Sequence, residues 1–142
     1  MAASSKDQIL PPPARPLVRV TFYFSKIPSM THDEFYDYWR NTHGVLTVAA
    51  KSFEDAKVQQ YTQIRHDHSL SQEAAKLGFT LLDLEWDGCS DLYFQTWDDF
   101  HRFATSDELR NVLGRDGAKM TCQEKGVKVV VGLVDPVFQR GP

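Results

Sequence analysis

The fold of this chain is decided by the stretch from Leu17 to Leu46, LVRVTFYFSKIPSMTHDEFYDYWRNTHGVL. Its first part, Leu17–Ser25, alternates along the chain with a period of two and is rich in β-branched and aromatic residues, which predicts a β-strand. Its second part contains Thr31 and Glu34 at the spacing of a capping box, which predicts that an α-helix begins near Thr31. The stretch therefore predicts a strand followed directly by an amphipathic helix.

One face of the predicted helix is aromatic and carries a histidine close to its end. His43 follows Trp39 by four residues and so lies on the same face, and Gly44 is suited to ending the helix. An imidazole has a pKa of about 6.5 and can give or take a proton near neutral pH. His43 is therefore the leading candidate for a general acid or base. The other members of the predicted face are Phe35, Tyr38, Thr42 and Leu46.

The rest of the chain extends this unit to a β-α-β-β-α-β order. Asp87-Gly88 has the composition of a hairpin turn, and a short helix stopped by Gly78 precedes it. The order is that of a ferredoxin-like α+β fold. The predicted strands are Leu17–Ser25, Lys57–His66, Cys89–Gln95 and Val127–Val134, and further helices begin at Ser69, Thr96 and Ser106.

Two helical segments before the last strand have predicted inner faces. The first, capped by Thr96 and Asp99, has Trp97, Phe100 and Phe103 on one side, and the second has Leu109, Val112 and Leu113. Gly114 is expected to stop the second helix, and Gly114-Arg115-Asp116-Gly117 to form a turn rather than a phosphate loop. The last strand, Val127–Val134, is apolar on both faces. Since helices cover only one side of such a sheet, a second copy of the chain is expected to cover the other in a homodimer.

Composition and charge limit the classes of function. With 142 residues and a formal net charge of −3, the chain is expected to form one domain that binds no nucleic acid. Cys89 and Cys122 have no C-x-x-C spacing and are expected to be reduced thiols in a cytoplasmic protein. No apolar run predicts a membrane span. Residues 1–16 are rich in Ala, Ser and Pro and are expected to be a disordered leader to a single domain at residues 17–142.

The segment from Tyr38 to Leu46 resembles the Y-W-R-x-x-H-x-P-L signature of EthD-type dimeric α+β barrel proteins, with Val45 in place of the proline. Tyr61-Thr62-Gln63 in the second strand is similar to the family pattern. The segment from Asp87 to Phe94 is similar to the family's D-G-x-x-E-x-W/F stretch, with Asp91 in place of the glutamate. The resemblance spans residues 17–135 and implies a dimeric α+β barrel with a pocket between the sheet and its helices. Fungal members resemble cofactor-free enzymes of polyketide pathways.

The candidate catalytic residues are His43, His66 and Asp91. His66 is placed as a possible second acid or base at the end of the second strand, and Asp91 as a carboxylate that orients a histidine. Tyr23, Tyr61 and Asp91 are expected to point toward one cavity if their strands are neighbours, where the tyrosine hydroxyls would orient a substrate. The candidate substrate-binding residues are Tyr23, Phe35, Tyr38, Trp39 and Tyr61.

No metal or cofactor is expected. His66 and His68 form an H-x-H pair, but no third ligand is evident. The chain has no nucleotide-binding or nucleophile motif of the usual kinds. Any chemistry is therefore expected to be proton transfer.

We expect a cofactor-free lyase, a decarboxylase or dehydratase, that acts on an aromatic polyketide intermediate held in an apolar pocket. Two alternatives remain open. The first is an aldol-type polyketide cyclase that uses the same histidine, and the second is a non-catalytic dimeric protein that binds a hydrophobic ligand.

Overall fold

A computed structural model describes residues 8–82 and 85–141 of the chain. The strands of these residues form one antiparallel sheet in the order β2-β3-β1-β4, which is the ferredoxin-like arrangement predicted from the sequence. Each lies within three residues of its predicted bounds. The strands are β1 (Leu17–Phe24), β2 (Gln60–Arg65), β3 (Gly88–Phe94) and β4 (Lys128–Val134).

The helical segments lie between the strands and include two π-helical turns. The first π turn, Trp39–His43, joins α1 to α2, and the second, Leu109–Leu113, precedes α6. Thr31 and Glu34 form the predicted capping box at the start of α1. The α-helices are α1 (His32–Tyr38), α2 (Gly44–Ala49), α3 (Lys51–Asp55), α4 (His68–Lys76), α5 (Trp97–Ala104) and α6 (Gly114–Ala118).

One face of the sheet packs against the helices and forms the core. Val18 and Val20 of β1 pack with Leu92 of β3 and with Phe103 of α5. A second cluster holds Phe24, Phe35, Trp39 and Met120. Because side chains alternate along a strand, Thr21 and Asp91 lie on the opposite face, which we call the open face. There the Thr21 hydroxyl donates a 2.6 Å hydrogen bond to Asp91.

The first π turn changes which residues of the helix face the core. The backbone N–H of Gly44 bonds to the carbonyl of Trp39 five residues earlier, and Gly44 keeps helical φ and ψ angles. The wider turn shifts the buried face by one residue after Trp39. The prediction that Gly44 ends the helix is therefore wrong, and so is the predicted burial of Thr42 and Leu46. Gly44 and Thr47 are buried in their place.

Gly88 lies inside β3 and not in a hairpin turn, because α4 and a long loop connect β2 to β3. A Cβ atom at Gly88 would lie 2.8 Å from the Trp39 ring and 2.9 Å from the Ile64 carbonyl oxygen. The glycine is therefore needed for close packing of the indole against the sheet. The turn prediction was wrong because glycine occurs both in hairpin turns and at strand positions where another group packs closely against the backbone.

The helices before β4 also depart from their predicted faces. Thr96 caps α5 as expected, since its side chain accepts a hydrogen bond from the Asp99 N–H. Trp97 is 53% exposed and Val112 is 42% exposed, although both were assigned to inner faces. Gly114 does not stop the helix, because it follows the second π turn with helical angles and begins α6.

β4 is an edge strand that is apolar on both faces, as the sequence predicts, but exposed on both faces of the single chain. Val129, Val130 and Val131 are each about half exposed, and Leu133 is 70% exposed. The predicted burial is thus absent within the described part of one chain, in which β4 pairs with a neighbour on one side only.

The predicted leader is described only in part. Its first seven residues lie outside the described residues. At Leu10 the backbone N–H donates to the carbonyl of Val137 at 2.7 Å, which joins the two ends of the described chain.

Candidate functional site

A histidine, an aspartate and a tyrosine form a hydrogen-bonded group at the junction of α1, α2 and α6. The Nδ1 atom of His43 lies 2.9 Å from Oδ2 of Asp116. The hydroxyl of Tyr38 donates to Oδ1 of the same carboxylate at 2.6 Å. One carboxylate therefore holds two side chains of the first helical segment, and we call this group the His–Asp–Tyr cluster.

Local structure explains why these residues meet. His43 is the last residue of the first π turn, and Asp116 is the third residue of α6, just after the second π turn. Gly117 lies beside the imidazole, since a Cβ atom there would lie 3.6 Å from Cε1 of His43, at ordinary van der Waals contact. The side chains of His43 and Asp116 are 17% and 9% exposed.

The cluster fixes the protonation of its members. Burial acts to raise the pKa of Asp116, but hydrogen bonds from Tyr38 and His43 more than offset it and hold the pKa below its ordinary value. The same hydrogen bond raises the pKa of Tyr38 to about 12. Because an ionised carboxylate can only accept hydrogen bonds, Nδ1 of His43 carries the hydrogen. Nε2 is then the ring nitrogen that can exchange a proton with a bound molecule.

His43 lines a cavity of about 260 Å³ between the sheet and the helices. The walls come from β1, β3, α5 and the segment around α6, and they are mostly apolar. Thr47, Tyr61 and Ser90 add hydroxyl groups to the wall. An apolar cavity with a few polar groups is typical of small-molecule sites. The apolar wall residues include Phe22, Phe24, Leu92, Phe103, Leu113 and Met120.

The structure places the two predicted tyrosines on opposite faces of the sheet. Tyr61 lines the cavity, whereas Tyr23 belongs to the open face and packs against His66 and Trp86, with ring centroids 6.0 and 6.4 Å away. Asp91 also lies on the open face, bonded to Thr21. The expectation that Tyr23, Tyr61 and Asp91 share one cavity is therefore wrong, because alternation along the strands separates them.

His66 is likewise separate from His43. Its Nδ1 lies 3.0 Å from the carbonyl oxygen of Trp86, and Nε2 of His68 lies 3.1 Å from the same oxygen. Both rings are thus held by the loop before β3. Within the described residues, no three His, Cys, Asp or Glu side chains come together as a metal site.

The predicted aromatic contacts with substrate divide into two groups. Phe35 is 0% exposed, and its ring stacks on Trp39 with the centroids 5.6 Å apart, inside the second core cluster. Phe35 is therefore a packing residue and not part of a cavity wall. Trp39 is buried too, and it borders an open groove of about 790 Å³ along β2. Tyr38 belongs to the His–Asp–Tyr cluster.

The partner of His43 is Asp116, which the sequence analysis did not select. It assigned an orienting carboxylate to Asp91 and treated residues 114–117 as a turn. One signal was available: Asp116 lies between two glycines and close behind an apolar helix face, so a helical interpretation of the segment would have pointed it toward the core.

The fold and the site define a ferredoxin-like α+β protein with a buried histidine–aspartate pair at a cavity. The family model of the EthD domain matches residues 27–123, more than half of the chain. The protein belongs to the EthD domain family. The resemblance found in the sequence is thereby confirmed at the level of the family.

Solved structures of low sequence identity share the fold. An ethyl tert-butyl ether D family protein from Bacillus halodurans C-125 is 16% identical, with 82% of this chain and 96% of that chain covered and a TM-score of 0.54. A dabb family protein with a ferredoxin-like fold from Mesorhizobium loti MAFF303099 is 9% identical, with coverages of 83% and 96% and a TM-score of 0.52. A dimeric ferredoxin-like protein of unknown function from Thermobifida fusca YX is 14% identical, with coverages of 85% and 93% and a TM-score of 0.53. No curated protein matches.

Among the helices of residues 8–82 and 85–141, none is long and apolar enough to span a membrane.

Proposed function

We propose that the protein is a cofactor-free lyase that moves a proton with His43 on a flat aromatic substrate, such as an aromatic polyketide, with loss of CO₂ or water. The observation that carries the proposal is the pairing of His43 with Asp116 at the wall of an apolar cavity. A buried carboxylate on Nδ1 orients the ring, while Nε2 remains for the substrate.

The cavity suits such a molecule in size and chemistry. Its volume of about 260 Å³ is enough for two or three fused rings, and its phenylalanine walls offer stacking contacts. Exclusion of water strengthens the interaction between His43 and a charge that develops on the substrate. General acid or base catalysis by one side chain contributes about 10²–10⁴-fold to a rate.

A decarboxylation needs only this proton. His43, as the imidazolium, gives its Nε2 hydrogen to the ring carbon that carries the carboxylate. The bond from that carbon to the carboxylate then breaks, CO₂ leaves, and the electron pair of the broken bond restores the aromatic ring. For loss of water, neutral His43 takes a proton from the carbon next to the one that bears the hydroxyl, the electron pair of that C–H bond forms a C=C bond as the C–O bond breaks, and the imidazolium returns the proton to the leaving hydroxide.

We also propose that the protein is a homodimer joined through the open face and β4. The half-exposed apolar side chains of β4 are the observation in its favour, since exposed apolar patches on a soluble domain mark interaction surfaces. The Thermobifida fusca neighbour with the same fold is described as dimeric.

The test is an assay of the wild type, His43→Ala and Asp116→Asn with a hydroxylated anthraquinone carboxylic acid, followed by mass spectrometry. We expect the wild type to release CO₂ or water, His43→Ala to show no turnover, and Asp116→Asn to lose about 10²–10⁴-fold in rate because the ring is no longer held in the right tautomer. Thr42→Ala, exposed and beside His43 in the chain, is the control and should keep full activity.

Equal turnover by His43→Ala and the wild type would contradict the proposed role of His43. Turnover of an open-chain poly-β-ketone instead, to a product with a new ring and no loss of mass beyond water, would favour an aldol-type cyclase. Tight binding of the aromatic acid without any turnover would favour a non-catalytic binding protein.

A further inference from the structure

The hydroxyl of Tyr61 stands at the polar part of the cavity wall, and its orientation can be deduced from its neighbour Gln63. Nε2 of Gln63 lies 2.9 Å from the carbonyl oxygen of Trp39 and 2.8 Å from the hydroxyl oxygen of Tyr61. The Trp39 carbonyl belongs to the first π turn. A single amide group thus connects that turn to the cavity.

The chemistry of a carbonyl oxygen settles the direction of both hydrogen bonds. A carbonyl can only accept, so the amide nitrogen of Gln63, and not its oxygen, must face Trp39. The second hydrogen of the same NH₂ group then goes to Tyr61, whose oxygen accepts it. The hydroxyl hydrogen of Tyr61 must therefore point away from Gln63.

Other side chains near the Tyr61 hydroxyl affect its pKa. The indole Nε1 of Trp39 is buried and has no hydrogen-bond partner, but it lies close enough to Tyr61 to affect its titration. Burial raises the pKa of Tyr61, and the neighbouring side chains of Gln63, Ser90 and Trp39 act in the opposite direction. The phenol stays protonated at neutral pH and keeps one hydrogen to donate.

Thr47 can accept that hydrogen when the cavity holds no ligand. Its own hydroxyl donates to the carbonyl of His43 at 2.8 Å, so toward Tyr61 it can only accept. A carbonyl or phenolate oxygen of a bound molecule would take its place as the acceptor. Tyr61, Thr47 and His43 all line the cavity. A molecule bound there meets a hydroxyl donor and an imidazole in the same space.

We propose that Tyr61 donates its hydroxyl hydrogen to a carbonyl or phenolate oxygen of the molecule bound beside His43, and that Gln63 is the positioning residue that keeps the hydroxyl in this orientation. The inference rests on the proposed function in taking this cavity as the substrate site. It narrows the substrate class to aromatic ketones and phenols, whose oxygen can take up electron density when a ring carbon gains or loses a proton.

The experiment compares two ligands that differ only in the acceptor. α-Tetralone carries a ketone oxygen, and tetralin is its hydrocarbon counterpart. Calorimetric titration of the full chain should show that the wild type binds the ketone about tenfold more tightly than the hydrocarbon, the scale of one hydrogen bond. Tyr61→Phe should abolish that preference and leave tetralin affinity unchanged.

Gln63→Glu tests the positioning role. A carboxylate can only accept, so it would capture the Tyr61 hydrogen and remove the preference for the ketone although Tyr61 is still present. Tyr93→Phe, on the open face, is the matched control and should bind both ligands as the wild type does. Thermal unfolding of each variant checks that it is folded. If Gln63→Glu does not fold, Tyr61→Phe alone tests the inference.

Equal affinity of the wild type for both ligands, or a ketone preference that survives in Tyr61→Phe, would overturn the inference. These outcomes are separate from the turnover assay. Turnover without a ketone preference would overturn only the donor role, whereas a ketone preference without turnover would count against the lyase and support the donor. Failure of the wild type to bind either ligand would count against both.

Discussion

At the scale of single residues, the site depends on one carboxylate. Asp116 accepts hydrogen bonds from Tyr38 and from His43, and it is nearly buried, so its charge is balanced by these two partners and by Lys119 at 3.9 Å. Removing a partner leaves a buried carboxylate with an unfilled lone pair, which costs more than the hydrogen bond itself contributes.

Tyr38→Phe should therefore destabilise the protein by about 1–3 kcal/mol, the range for a hydrogen bond to a charged group. Urea unfolding at pH 7 measures the loss. Tyr36→Phe is the matched control: the neighbouring ring keeps its packing on Phe35, and the substitution should change stability by less than about 0.5 kcal/mol. Equal losses in the two variants would mean that the hydroxyl of Tyr38 contributes nothing of its own.

Acid should remove the contribution of Asp116. The pKa of this carboxyl in the folded protein lies below its ordinary value of 3.8, so its stabilising effect is complete above that pH and is lost as the pH falls through the folded value. The unfolding free energies of the wild type and Asp116→Asn should thus differ most at pH 6, and the difference should shrink as the pH falls below 3.8. A difference that is constant with pH would show that the effect is not one of charge.

The sequence analysis identified His43 correctly as a cavity residue but could not find its partner. The histidine follows a strong local pattern, the spacing of four from Trp39. Asp116 has no such pattern, because glycine on each side favours a turn when tertiary contacts are ignored. The separation of Tyr23 from Tyr61 required the strand register, which one sequence does not contain.

At the scale of elements, strands were easier to predict than helix faces. The first strand alternates with a period of two and the last is a continuous apolar run, and all four strands were predicted near their observed positions. The buried faces of the helical segments depend on π turns. A π turn shifts the buried face by one residue, and no repeating pattern of apolar residues marks its position in the sequence. This is why Thr42 and Leu46 were assigned to the core in place of Gly44 and Thr47.

Gly88→Ala tests the packing between the first helix and the sheet. The added methyl group would overlap the Trp39 ring and the Ile64 carbonyl oxygen, and we expect a loss of about 1–3 kcal/mol in the free energy of unfolding. Gly132→Ala is the control, because a Cβ atom there meets nothing within 4 Å. If both variants unfold at the same denaturant concentration as the wild type, Trp39 is not held as tightly as the structure indicates.

At the scale of the whole molecule, the ferredoxin-like sheet has its helical core on one face and the open face on the other. Thr21 and Asp91, at the centre of the open face, are only 3% and 5% exposed and satisfy each other, so a partner could cover this face without loss of that hydrogen bond. Beside them, β4 presents valines to both sides. Burial of this apolar surface would stabilise an interface by about 25 cal/mol for each Å² removed from water.

A charge on β4 should therefore separate the proposed dimer. Val130 lies on the open face and is 49% exposed in the single chain, and Val130→Glu would place an unpaired charge in the interface. We expect dimers of the wild type and monomers of the variant in sedimentation velocity. Val45→Glu, on an exposed face of α2, should remain dimeric. A monomeric wild type at tens of micromolar, or a dimeric Val130→Glu, would contradict this interface.

The two π turns have a consequence for how this site is gained or lost in evolution. A π turn holds one residue more than a regular α-helix would at the same place. His43 is the last residue of the first turn, and Asp116 follows the second. Deletion of one residue between Trp39 and His43 would remove the extra residue and let the helix close regularly, with Gly44 and Thr47 still directed at the core. A single-codon deletion could thus change the position of His43 relative to Asp116 while the fold is inherited unchanged.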